Sequence, residues 1–335
     1  MHIFHNTNFD FLRWRVHAIV LSWVIIIAGG VMIATRGLPL GLEFAGGSSV
    51  IVKFDQPASI ESVRQVLDRN YPGGGQNSIV QDYGEPGQRM VMIRVPTVGA
   101  EKGSSLSTTA DTVVASLKKG GLPNFNVVGT EIVGPAVGEE LTQKGISAFV
   151  LSLLGILAYI AFRFQLSFAT GAVIATIHDI LVTAAFLAFF RYDLTLNVIA
   201  ALLTVTGYST NDTIVIFDRV RENMRVMRGR SLNDIINASL NQTLGRTVIT
   251  AGTAFLSAVA LFIFGGEVLR GFAFTMIVGI VTGTYSSVFV AAAIVTFWRR
   301  KQMRPATAAA AASPSSSAAQ PQQPTRRSKQ RKRAS

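Results

Sequence analysis

Six apolar runs, each close to bilayer length, restrict what this chain can fold into more than anything else in it. They lie at about 16–34, 146–162, 166–190, 194–217, 247–264 and 272–298. A helix needs about 20 predominantly apolar residues to cross the hydrocarbon core. The balance of residues agrees, since 49% are hydrophobic and only 15% charged, against about a quarter charged in soluble domains. The expected fold is an α-helical polytopic membrane protein with six transmembrane helices. The first run follows Arg13 and Arg15, and no small-x-small site precedes a soluble domain, so 16–35 reads as an uncleaved helix.

Charge placement orients the spans. The net charge of +12 is concentrated after Trp298, where Arg299, Arg300, Lys301, Arg304 and the run "RRSKQRKR" carry no compensating acid. The remainder is close to neutral, so the basic excess describes a tail and not a nucleic-acid-binding domain. Six spans put both termini on one side. The connection carrying Arg219, Arg221, Arg225, Arg228 and Arg230 falls on that side too, whereas the opposite loops, 191–195 and 265–271, hold one Arg each. The positive-inside rule then places the N-terminus (1–15), that connection and the tail (299–335) in the cytoplasm. The tail, rich in Ala, Ser, Pro and Gln, reads as disordered. Contact with anionic lipid or the ribosome is its functional reading, and fixing topology its ordinary one.

The segment 38–141 is consequently extracytoplasmic (periplasmic), followed by a five-helix membrane region, 142–298. Strand-like stretches fall at 49–54, 78–83, 89–95 and 125–133, with helical stretches at 59–70, capped by Ser59, and 106–119, stopped by Gly120 and Gly121. The order β-α-β-β-α-β matches a ferredoxin-like α+β domain between helices 1 and 2. It contains no His, and its acids are scattered as on a solvated surface. The chain has no cysteine, which excludes disulfides, thiol chemistry and cysteine-ligated metals.

Chemistry concentrates inside the spans. Asp212, in "GYSTNDTIVIFDRVREN" (207–223), lies well before its apolar run ends, where a carboxylate costs roughly 3 kcal/mol on insertion scales. Tyr208 sits one turn earlier on the same face, and Asn211 and Thr213 flank the carboxyl. A second site is His178–Asp179, near the middle of the third span, and a third is Arg246, where the fifth apolar run begins. Asp212 and Arg246 both fall in the cytoplasmic half and are expected to meet across helices. A carboxyl balanced between a cation and an apolar surround can load and release protons near neutral pH. The ordinary alternatives are a structural ion pair for Asp212, an interhelical hydrogen bond for His178 and Asp179, and a snorkelling Arg246. Gly279 and Gly283 form a small-xxx-small pair, which most simply means close helix packing. No HExxH helix, phosphate loop or nucleophile elbow is present, so the chain is not expected to be an enzyme. An intramembrane hydrolase using the two aspartates is the alternative in that class.

Several motifs, in order, resemble the SecF family of protein-export membrane proteins. "GLEFAGG" (41–47: Gly41, Glu43, Phe44, Gly46, Gly47) is similar to that family's signature after the first span, with Glu43 where Asp is usual. "VGPAVGEEL" (133–141, with Gly134, Pro135 and Gly138) is similar to the family's approach to span two. "HD" (178–179), the 207–223 stretch, "LNQTLGRT" (240–247) and "RGFAFTMIVGIVTGTYSS" (270–287) follow. The resemblance implies half of an RND-type transporter, completed by SecD, in the bacterial inner membrane. It implies coupling to protons with no bound cofactor, and a role in moving secreted chains on the outer side beside the SecYEG translocon. YajC and YidC are further expected partners. It also carries the proton-responsive role onto Asp212 and Arg246. A proton-coupled exporter of small molecules is the runner-up function, and a passive assembly factor a third class.

Overall fold

The computed structural model describes residues 7–72, 78–84, 87–95, 103–164 and 166–297. The basic tail at 299–335 lies outside the described residues. A 3-10 turn, Phe11–Trp14, leads into α1, Arg15–Arg36, whose C-cap is Gly37. A short helix α2, Leu42–Ala45, then reaches the sheet domain. Gly46 (φ 67°) and Gly47 (φ 121°) make that turn, in a backbone region open to glycine and strained for other residues.

The sheet domain follows the expected order: β1 Gly47–Phe54, α3 Ile60–Asn70, β2 Ile79–Tyr83, β3 Met90–Val95, α4 Gly103–Lys119 and β4 Phe125–Val133. Ser59 caps α3 by accepting from the Ser62 N–H. The strands lie β2-β3-β1-β4, antiparallel throughout. This is the ferredoxin-like arrangement, with β3 inserted between β1 and β2. Val50, Val52 and Phe54 alternate onto one face of β1 and bury against Val63 and Leu67 of α3 and Val113 and Leu117 of α4. Side chains two apart on a strand point to the same face, which puts these three on the helix-covered side.

The remaining helices are α5 Pro135–Arg163, α6 Leu166–Phe190, α7 Leu196–Val226, α8 Leu232–Phe264 and α9 Gly266–Ser286. A π-helical segment, Ser287–Ala291, continues α9, and helix runs on to 297. Several boundaries differ from the sequence reading. α5 begins at Pro135 and not near 146, because Gly134 and Pro135 are helix-starting residues and no further proline follows in the helix. α8 begins at Leu232 and not at 247, with Ser231 accepting from the Asp234 N–H as its cap. The expected outer loop 265–271 shrinks to a turn at Gly265 and Gly266, so Arg270 belongs to α9. α7 and α8 have 31 and 33 residues, about 47 and 50 Å long, so both extend past a core of about 30 Å.

Among the described residues, five helices are long and apolar enough to cross a membrane: Phe11–Arg36, Ala136–Arg163, Ser167–Phe190, Leu232–Phe264 and Val268–Phe297. α7 has the length but not the composition, and its surroundings explain why. Its buried side includes Thr206, Ser209, Thr210, Asp212 and Thr213. It packs among α5, α6, α8 and α9, so these groups meet protein partners. Small residues bring the helices close. A Cβ at Gly29 of α1 would lie 2.1 Å from the Ala185 Cβ, and one at Gly279 of α9 would lie 2.4 Å from both Val205 Cγ atoms. A Cβ at Gly283 would lie 2.8 Å from the Ser209 Cβ. The Gly279–Gly283 pair is therefore a close-packing surface for α7, as its spacing implied.

Candidate functional site in the helical bundle

Asp212 is 8% exposed and faces α8, where the Thr247 hydroxyl donates to its Oδ1 at 2.7 Å. Its Oδ2 is buried with no hydrogen-bond partner among the described residues. A carboxylate normally accepts several hydrogen bonds, and one left short of them inside a protein is costly. Among the described residues the group is thus held by a single donor. Tyr208 is half-buried one turn earlier on α7. Asn211 is exposed on the neighbouring side of α7.

The expected contact between Asp212 and Arg246 is not made directly. Arg246 is exposed and lies within α8, not at its start. No ion pair joins it to Asp212 among the described residues. The physical reason is helical geometry: adjacent residues point about 100° apart, so with Thr247 turned onto α7 its neighbour Arg246 is turned aside. Thr247, missed in the sequence, occupies the place assigned to Arg246. Replacing Thr247 by Val, which keeps the shape and deletes the donor, leaves the buried carboxyl without its hydrogen bond and should destabilise the bundle by about 1–3 kcal/mol. Thermal unfolding of the detergent-purified variant against the original protein checks this.

The second site is a separate cluster. Asp179 is 1% exposed, and its Oδ1 lies 2.9 Å from the His178 Nδ1. Its Oδ2 accepts from the hydroxyls of Ser209 on α7 and Ser286 on α9, the latter at 2.8 Å. One carboxyl thereby ties three helices together. Beside it, Thr213 and Ser287 share a hydrogen bond of 2.8 Å, which continues the polar seam toward the residue after Asp212. Ser286 precedes the π-helical segment and Ser287 opens it. Such local widenings recur at functional sites. The His178 Nε2 is buried without a hydrogen-bond partner among the described residues, and its ring stacks on Tyr285 with centroids 6.4 Å apart. Three adjacent hydroxyl residues in an apolar span, Tyr285, Ser286 and Ser287, were the available sign of this cluster.

The two glycine-bearing motifs meet outside the bundle. A Cβ at Gly138 on α5 would sit 3.5 Å from the carbonyl oxygens of Glu43 and Phe44 and from the Gly46 nitrogen. Gly134 caps α5, and Pro135 is its first residue. The Gly41 N–H donates to the Leu194 carbonyl at 2.8 Å, and a Cβ there would lie 2.9 Å from that oxygen. The Glu43 carboxylate folds back over Gly41, which is where its extra methylene goes. Asp218, unlike Asp212, is exposed and lies 3.5 Å from Arg221 and 3.8 Å from Arg163, as a charge at a span's edge should.

These features define a polytopic membrane protein with a ferredoxin-like domain beside a helical bundle that buries two separately held carboxylates. The chain belongs to the SecF family of protein-export membrane proteins. Residues 112–301 match the family model described as Protein export membrane protein SecD/SecF, C-terminal, and residues 31–58 match the SecD/SecF GG Motif. A protein named Protein translocase subunit SecF from Desulfurispirillum indicum is 40% identical over 295 residues, covering 86% of this chain and 91% of that one. One of the same name from Escherichia coli O157:H7 is 38% identical over 286 residues, covering 85% and 86%. The crystal structure of SecDF, described as a translocon-associated membrane protein, from Thermus thermophilus superposes with a TM-score of 0.77 at 31% identity. It is matched over 88% of this chain and 39% of its own length. This chain therefore spans well under two thirds of that two-part protein.

Proposed function

We propose that this protein is the SecF component of the Sec protein-export machinery. With SecD and the SecYEG translocon it uses the proton gradient to promote movement and release of secreted polypeptides on the outer face of the bacterial inner membrane. The observation that carries this is Asp212, a carboxyl buried in the bundle with one donor and one open oxygen, in a chain about 40% identical to proteins named SecF. Sharing of SecDF's fold over 88% of the chain supports completion by SecD. YajC and YidC are further partners of the reading. The arginines in the last turns of α7 and between α7 and α8 support cytoplasmic termini and an outward-facing sheet domain.

The mechanism follows from electrostatics. Each proton entering along the gradient delivers about 2.3 kcal/mol per 100 mV. Protonating Asp212 removes a charge from beside Thr247 and near Arg246, which changes the preferred fit of α7 on α8. Release of the proton toward the cytoplasm restores the first fit. No cofactor is used, since the proton is the coupled species and the work is conformational. The competing reading, a proton-coupled exporter of small molecules, shares the intramembrane charge and differs in its partners. The test is purification of this chain under mild detergent from its own membranes. Recovery of SecD and SecYEG in defined ratio is expected, and recovery of neither would overturn the reading.

A further inference from the structure

The bundle and the sheet domain have separate apolar cores. Val50, Val52, Phe54 and their neighbours form one, and no member of it is shared with the clusters around Phe168 and Phe217 or around Leu187 and Val198. Between them, beside the start of α7, lies a cavity of about 350 Å³ lined by Glu43, Asp82, Arg94, Glu131, Arg191 and Asp193, among others. Across that gap the helices reach the sheet through discrete polar ties, beside the chain connections at Gly46 and Gly134.

One tie is a side chain of the sheet itself. Arg94, in β3, extends its Nη2 to the Asp193 Oδ2 at 2.9 Å, with side-chain exposures of 8% and 17%. Its Nη1 donates to the Leu40 carbonyl at 3.1 Å. Asp193 stands in the corner between α6 and α7, two residues before Thr195, whose hydroxyl caps α7 by accepting from the Val198 N–H. Leu40 and Leu194 are paired by backbone hydrogen bonds, Leu194 N–H to Pro39 and Gly41 N–H to Leu194. Arg94 thus clamps three segments: the sheet, the strand leaving α1, and the corner that opens α7. Among the described residues it makes the one ion pair that joins the sheet domain to the helical bundle. Asp212 lies on the same α7, about 24 Å along it. A stiff helix, a capped start and a buried charge pair make a continuous mechanical path.

We infer that the Arg94–Asp193 pair is the coupling link that carries α7's displacement to the outer domain. This rests on the proton-driven reading above, and it assigns Arg94 and Asp193 a positioning role outside the proton site. Breaking one partner of a largely buried pair leaves an uncompensated charge, so the tie fails while the bundle around Asp212 stays intact.

The experiment uses the full complex with SecD, reconstituted with the translocon in vesicles, and follows proton flow and export separately. Arg94→Ala and Asp193→Ala should keep proton flow within about twofold of the original protein and lose about tenfold in gradient-dependent export. The exchange Arg94→Asp with Asp193→Arg should restore at least a good part of export, which a merely folding-defective variant would not do. Full export by either single variant overturns the inference. So does joint loss of proton flow and export that the exchange fails to repair. Absence of proton flow in the original complex would instead defeat the proton-driven reading, so the two failures are distinguishable.

Discussion

Asp212→Asn should assemble with its partners in normal amounts and lose the proton-dependent part of export, a fall of at least about tenfold. The substitution keeps the size and the oxygen that accepts from Thr247, so the packing of α7 on α8 is retained. It removes the one property the mechanism needs, which is a charge that a proton can cancel. ATP-driven export measured without a gradient should be unchanged, and that comparison separates loss of coupling from loss of the complex. Gradient-dependent export at the original level would remove Asp212 from the mechanism. The same result from Asp218→Asn is expected to be near normal, because that group is exposed among arginines at the edge, where ion pairs contribute roughly 0–1 kcal/mol.

The second large effect is structural. Gly279→Leu should disrupt the bundle, since even a Cβ at this position falls 2.4 Å from both methyls of Val205 and 2.9 Å from its Cβ. α9 and α7 would have to separate, and Ser209 and Ser286, which hold Asp179 from those two helices, would separate with them. The smaller change Gly279→Ala should destabilise by about 1–3 kcal/mol, the usual range for overpacking. Pairing it with Val205→Ala removes the colliding methyls and should recover most of that loss. Thermal unfolding of the detergent-purified protein, across the two single variants and the double, measures the coupling. If Gly279→Ala alone matches the original, the α7–α9 approach is looser than described.

Much of this architecture can be read directly from residue order. The apolar runs give the spans because bilayer thickness fixes helix length. The sheet domain is legible because four strand-like stretches are set apart by two helical ones, whose ends Ser59 and the Gly120–Gly121 pair mark. What resists reading is contact between distant parts of the chain. Asp212 announces itself as a buried charge, but its donor, Thr247, is an ordinary residue until α8 is rotated against α7. Arg246 draws attention by its charge, and helix geometry turns it away. The starts of α5 and α8 are hidden for a different reason: their first turns are polar. In α8 those turns hold residues such as Asn237 and Asn241, which bind the N-terminal segment at Leu12 and Phe9. Hydropathy cannot distinguish such turns from loop. Arg94 and Asp193 lie 99 residues apart, and nothing local marks either as half of a pair.

In the proposed mechanism protons cross by way of Asp212, and their movement can be followed without any exported substrate. Vesicles containing the complex with SecD, loaded with a pH-sensitive dye and given an imposed gradient, report that movement. The original complex should dissipate the gradient faster than protein-free vesicles, and the complex carrying Asp212→Asn should fall to the protein-free rate. Equal proton flow through the original and the Asp212→Asn complexes would contradict the account.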